Sequence, residues 1–186
     1  MNGQTNSMKK LPGELGLWIF IFVDLALFTL FFSLAALDMG AEPDLFREGK
    51  AGLNQAIGMI NTIILLTGSW AVAMGTRVVR DQQAASRYVR LAALSGIAFL
   101  LLKVLEYSHV LGEGHQLTDN AFYTWYFFLT GYHAMHVAFG VVLLWVVSNR
   151  FRSTLQPSEQ LVEAGGCYWH LVDLLWIGIF LILYLL

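Results

Sequence analysis

Hydrophobic and polar positions alternate along this chain on the scale of whole helices. Five apolar runs, at about 15–37, 56–78, 88–111, 122–147 and 166–186, are separated by short polar stretches. Each run has the length at which an α-helix crosses a bilayer, roughly 20 apolar residues. The pattern therefore predicts an all-α polytopic membrane bundle with five transmembrane helices. A polar N-terminal segment, 1–14, precedes a single transmembrane domain over 15–186. The first run is too long for a cleaved leader and is followed by no small-residue cleavage site, so it reads as a retained helix. The connections hold Pro43 and Gly49, Asp81 to Arg87, Gly112 to Asn120, and Arg150 to Glu163. Their shortness predicts helices packed beside their sequence neighbours in an up-and-down bundle. Trp18, Trp125, Trp145 and Trp169 stand near run ends and read as headgroup-depth anchors.

Polar residues inside the runs carry the chemistry. Asp24 sits in the middle of the first run with no basic residue in that run. It must stay protonated, pair with another helix, or meet water. The second run supplies only neutral hydrogen-bonding groups, Asn61, Thr62, Thr67 and Ser69. The next three runs each hold a polar pair three residues apart: Lys103 and Glu106, His133 and His136, His170 and Asp173. A charge turned toward lipid costs about 2.5 to 3.5 kcal/mol even on a lenient scale. The three pairs are therefore expected to line one interior seam. Lys103 and Glu106 either neutralise one another or form part of a proton relay, and the histidines either bond helix to helix or ligate a metal.

Glu106, His133, His136, His170 and Asp173 have the residue types of a carboxylate-histidine metal site in a bundle. Depth opposes the full set. Measured from the run centres, Glu106 falls roughly 10 Å toward one face and His170 roughly 9 Å toward the other. A smaller site of His133, His136, Asp173 and Asp24 stays open, and a haem held by histidines alone is a further, poorer fit.

Charge adds orientation. With a cytoplasmic N-terminus, Lys9, Lys10, Arg77, Arg80, Arg87, Arg90, Arg150 and Arg152 fall inside, and only Arg47 and Lys50 fall outside. That positive-inside bias places the C-terminus on the outer side. A formal net charge of −2 argues against a nucleic-acid partner. Cys167 is the only cysteine, so this chain alone can form neither an intrachain disulfide nor a thiolate cluster.

Five strings, in order along the chain, resemble the subunit III family of haem-copper respiratory oxidases. They are GLWIFIFVDLALFTLFF at 16–32, NTIILLTGSW at 61–70, KVLEY at 103–107, FFLTGYHAMHVAFG at 127–140 and YWHLVDLLWIGIFLILYL at 168–185. The tandem of HxxHVxxG and WHxVDxxW is the specific part. The resemblance implies a non-catalytic accessory subunit of the bacterial inner membrane that binds no haem or metal itself. Such a subunit packs against a catalytic subunit carrying haem and copper or iron, holds phospholipid, and helps sustain proton uptake. It further implies that Asp24 matches the family's intramembrane carboxylate and Glu106 the glutamate of its EY pair. His133, His136, His170 and Asp173 fall on the paired motifs of the last two helices. Mitochondrial-type members carry two further helices, which leaves the five-helix branch, found in quinol oxidases and in accessory proteins of nitric-oxide reductases. Shortness tilts the reading toward the latter or a stand-alone type.

Two other classes compete with an accessory role. One is a self-contained membrane metalloenzyme using His133, His136 and Asp173. The other is a small ion transporter with Asp24 and Glu106 on its path, although the chain lacks the inverted repeat many transporters show.

Overall fold

The computed structural model describes residues 15–151 and 159–186. The N-terminal segment 1–14 with Lys9 and Lys10, and Arg152, lie outside the described residues. Five long apolar helices cross the fold: α1 (Leu15–Ala41), α3 (Gln55–Arg77), α4 (Gln82–Gly112), α5 (Ala121–Arg150) and α6 (Glu159–Phe180), the last continued by a π-helical turn, Leu181–Leu185. A short helix, α2 (Pro43–Gly52), lies between α1 and α3.

Local chemistry explains where these helices begin. The Asn54 side chain accepts from the amides of Ala56 and Ile57 at the start of α3. Asp81 accepts from Ala84 at the start of α4, and Asn120 from Tyr123 at the start of α5. Each cap satisfies donors that the first turn cannot pair. Pro43 opens α2, where a helix has no use for an amide hydrogen. Gly114, with φ +93°, turns the chain beyond α4.

The first connection is therefore a helix rather than an irregular loop. In α2, Phe46 and Gly49 are buried against Phe122 of α5, while Asp44 and Arg47 pair in the open at 2.8 Å. Helices α4 and α6 also start six and seven residues before their apolar runs. Hydropathy marks where lipid begins, whereas the backbone hydrogen bonds continue through polar turns such as Gln82 to Arg87.

Helices α3, α4, α5 and α6 pack in sequence, and α6 returns to α3 to close a four-helix ring. Helix α1 does not follow the sequence-neighbour expectation. Its main partners are α6 and α5, because α2 bridges from α1 to the start of α5 and sets α1 down on that side.

The ring closes around Trp169, which is fully buried. A Cβ on Gly140 would lie 3.1 Å from its ring, one on Gly96 2.6 Å, and one on Gly68 3.2 Å from its indole nitrogen. Three helices thus leave out a side chain so that α6 can insert this one. The expectation of a headgroup anchor fails for Trp169: its ring is enclosed among α3, α4 and α5 and does not reach the surface where headgroups lie. Of the other expected anchors, Trp125 donates to Asp38 at 2.7 Å, and Trp145, exposed, lies beneath the Arg90 guanidinium.

The slot sets a test. Gly96→Val should cost about 1 to 3 kcal/mol through overpacking, and Trp169→Ala about 3 to 5 kcal/mol through the cavity it leaves. Gly16→Ala, where a Cβ meets nothing within 4 Å, should be neutral. Thermal unfolding in detergent of the three variants against the parent checks the order, and equal stability of Gly96→Val and Gly16→Ala would remove the slot's role.

Candidate functional site

The polar pairs do not form one seam. Three residues advance a helix by about 300°, so the members of each pair stand about 60° apart and can face different neighbours. The result is three separate polar sites and one isolated histidine.

The first site lies toward the α2 end of the bundle. Lys103 and Glu106 on α4 are each 2% exposed and form an ion pair of 3.0 Å. The Lys103 ammonium also donates to the Tyr184 hydroxyl at 2.8 Å, and that hydroxyl donates to the second Glu106 oxygen. The rings of Trp176, Tyr126, Tyr184 and Tyr107 stand 5.0, 5.1, 5.3 and 5.8 Å from the ammonium nitrogen. Neighbouring charge and aromatic faces together stabilise a cation removed from water. Lys103 and Glu106 therefore neutralise one another. The sequence reading missed Tyr184, Tyr126 and Trp176. A buried lysine signals a need for acceptors, yet no spacing rule connects Lys103 to a residue 81 positions away.

The second site joins α1 to α5. Asp24, 3% exposed, meets His136 with its Oδ1 3.2 Å from the imidazole Nε2. The other ring nitrogen, Nδ1, lies 2.9 Å from the Tyr132 carbonyl oxygen, which can only accept, so Nδ1 carries a hydrogen. One proton must then sit between Nε2 and Asp24. Either the acid donates to a neutral ring, or an imidazolium donates to a carboxylate. Asp24 thus takes the interhelical pairing among the options open to it, and its Oδ2 has no hydrogen-bond partner. Beside the pair, Phe20, Met135, His136, Phe139 and Tyr168 line a cavity of about 220 Å³ that opens on the bundle surface.

The third site lies between α3 and α6. The Ser69 hydroxyl is 2.6 Å from His170 Nδ1. One turn on, Asp173 is 4% exposed and neither of its oxygens has a hydrogen-bond partner within normal limits, although the Ser69 hydroxyl bears on it. His170 itself is exposed.

His133 belongs to none of these. It is fully buried, both ring nitrogens lack partners, and it packs edge-on to Phe99 at 5.6 Å and tilted against Trp176 at 5.3 Å. The open metal set of His133, His136, Asp173 and Asp24 is not assembled. His136 turns to α1 while His133 turns to α4 and α6, and among the described residues no three His, Cys, Asp or Glu side chains converge on one point. Glu106 and His170, separated by depth in the sequence reading, do bond to different partners. Asp24 and Glu106, the ends of the supposed ion path, are likewise held in separate pairs on different helices.

Buried ion pairs predict an asymmetry. Lys103→Met alone strands Glu106 and should cost about 3 to 5 kcal/mol, whereas the double replacement Lys103→Met with Glu106→Leu should return close to the parent. A double-mutant cycle on thermal unfolding in detergent measures it, and independent additive losses would contradict the pairing.

Comparison with known sequences points in one direction. The family profile described as Cytochrome c oxidase subunit III matches residues 2–186. A protein of Synechocystis sp. named Cytochrome c oxidase subunit 3 is 33% identical over 176 residues, covering 92% of this chain and 74% of the relative. One of Corynebacterium diphtheriae with the same name is 31% identical over 165 residues, covering 85% and 78%. A probable quinol oxidase subunit 3 of Staphylococcus saprophyticus is 26% identical over 181 residues, covering 93% and 88%.

Proposed function

Because this chain belongs to the cytochrome c oxidase subunit III family, we propose that it is an accessory subunit of a haem-copper respiratory enzyme, without catalysis of its own. It packs against the membrane-embedded catalytic subunit and stabilises it, holds phospholipid, and supports proton uptake. Haem and copper or iron belong to the partner. The relatives named above are oxidase subunits, which makes an oxidase the first partner to test. A nitric-oxide reductase is the second.

One observation carries the proton part: Asp24 Oδ1 lies 3.2 Å from His136 Nε2, a contact that calls for a shared proton, at a helix junction with a surface-open cavity beside it. A carboxyl that shares a proton with an imidazole, and keeps a second oxygen unbonded, can take a proton from one neighbour and return it to another without leaving an isolated charge. The same cavity, apolar apart from His136 and the Tyr168 hydroxyl, suits an acyl chain. In this reading the arginine-bearing end, with Arg77, Arg80, Arg87, Arg90 and Arg150, faces the cytoplasm of a bacterial inner membrane, and α2 with Arg47 and Lys50 faces the periplasm.

The test is purification of the tagged chain in mild detergent from its own membrane, followed by an optical spectrum and assays with oxygen and with nitric oxide. Haem bands with a large polytopic subunit are expected, and the acceptor that is consumed separates the two branches; a colourless single chain counts against the reading. Within such a complex, Asp24→Asn and Asp24→Ala should leave assembly intact while the enzyme inactivates after fewer turnovers. Progress curves of acceptor consumption show this, and unchanged inactivation in both variants would leave the pair a structural contact only.

A further inference from the structure

Two cavities at the arginine-bearing end of the bundle contain two arginines each, and they differ in what balances the charge. Between α3 and α6, Arg77 and Arg80 share a cavity of about 380 Å³ with Glu159 and Glu163. Two carboxylates offset two guanidinium groups there. Where the start of α4 meets the end of α5, Gln82, Gln83, Ser86, Arg87, Arg90 and Phe151 line a second cavity, of about 480 Å³. Among the described residues, no acidic side chain lines it. Residues 152–158, which follow Phe151 in the chain, include no aspartate or glutamate either. Asp81, next to Gln82, is committed to capping, with its Oδ1 on the Ala84 amide.

The surroundings of this cavity are held in place. Ser86 donates to the Ser148 carbonyl at 3.1 Å and Ser148 to the Ser86 carbonyl at 3.2 Å, which ties α4 to α5 beside it. The Arg90 guanidinium lies 6.0 Å from the Trp145 ring centre, and its Nε is buried with no hydrogen-bond partner. Among the described residues neither Arg87 nor Arg90 makes an ion pair. A shielded guanidinium donor without an acceptor calls for one from outside the chain. Gln82 and Gln83 form the first turn of α4, the end at which a helix favours anions.

Charge and donor geometry together select the ligand. Arginine forks bind phosphate oxygens in pairs, and basic pockets between transmembrane helices on the cytoplasmic side hold lipid headgroups. The volume lies within the range of small-ligand sites. Deeper along the same two helices, Leu91 and Leu94 of α4 and Val142 and Val146 of α5 are exposed and offer an apolar surface to acyl chains.

We propose that this cavity binds the phosphate group of an anionic ligand, with Arg87 and Arg90 as its charged partners. An anionic phospholipid delivers that group at headgroup depth with its acyl chains over the apolar residues. Inorganic phosphate brings the same chemistry from solution. The site is separate from the cavity beside Asp24, and it adds headgroup selectivity to the lipid-holding part of the proposed function. It does not depend on which enzyme the chain accompanies.

Thermal unfolding of the full chain in a neutral detergent, at fixed ionic strength, tests the site. The probes are dioctanoyl phosphatidylglycerol, inorganic phosphate, and dioctanoyl phosphatidylcholine, whose choline cation would meet the arginines. Phosphatidylglycerol should raise the melting temperature at lower concentration than phosphatidylcholine does. Arg87→Gln with Arg90→Gln should raise the concentration needed at least about tenfold, the effect of losing charged hydrogen bonds. Arg77→Gln with Arg80→Gln should leave it unchanged. If the double variant fails to fold, Arg87→Gln alone, at an exposed position, gives the same comparison with a smaller change. A response to inorganic phosphate with the same dependence on Arg87 and Arg90 supports the site with phosphate from solution as its ligand. Equal sensitivity to both arginine pairs would mean that the charge of the whole face attracts lipid, and would overturn the cavity. No response to either anionic probe would overturn it too. Loss of a haem-bearing subunit from the Arg87 and Arg90 variant, with its lipid response unchanged, would assign the cavity to a carboxylate of that subunit instead. The accessory role is decided separately, by the haem content of the parent purification.

Discussion

The bundle depends on one indole filling the space left by three absent side chains. In lipid there is no hydrophobic force driving one helix against another, so close contact must come from shape and from the few polar groups available. Gly68, Gly96 and Gly140 let α3, α4 and α5 approach the Trp169 ring directly. That contact draws α6 into the centre and closes the ring of four helices. Around it, Trp176 packs on Phe99 and donates to Thr62, and Tyr184 reaches Glu106. The polar sites are therefore consequences of the position that Trp169 gives to α6. The Asp24–His136 pair, made between α1 and α5, is the exception.

Burial without water makes each polar residue choose a partner, and the choices divide the labour. Lys103 and Glu106 satisfy each other, and the Tyr126 and Tyr184 rings stand beside the ammonium. Asp24 and His136 are also paired, but their pairing requires a shared proton and lies beside an open cavity. His170 is half satisfied and points out of the bundle. An enclosed pair, a proton-sharing pair and an outward histidine are three chemically different states built from the same residue types.

The number of long apolar helices, their approximate spans and the residues of chemical interest were all legible in the sequence, because the length of an apolar run and the rarity of charges within it are direct consequences of the bilayer. The helix α2 was hidden because its buried positions, Phe46 and Gly49, are too few to register against its charged ones. Trp169 was misread because a place near the end of a run does not say whether a ring faces lipid or the neighbouring helices. The single seam was inferred from repeated i, i+3 spacing, but spacing within one helix does not say which neighbour each member faces. That information resides in crossing geometry, which is why His133 and His136, three residues apart, end in unrelated surroundings. Tyr184 and Ser69 as partners of Glu106 and His170 were beyond reach for the same reason.

His133 sharpens this distinction between residue type and role. Its two ring nitrogens are unbonded in the centre of the bundle, between Phe99 and Trp176. Among the described residues no group hydrogen-bonds to it, and Asp24 and Glu106 are already engaged. A neutral imidazole is close to an aromatic ring in size and flatness, and its edge-on contact with Phe99 is the kind two aromatic rings make. Its value to the fold therefore lies in packing, and it is filled as a flat side chain would fill it, in the same cluster that holds Trp176 against the Lys103 ammonium. His136, one turn along the same helix, meets the Tyr132 carbonyl with one nitrogen and the Asp24 carboxyl with the other, and the carboxyl makes it part of a proton-sharing pair.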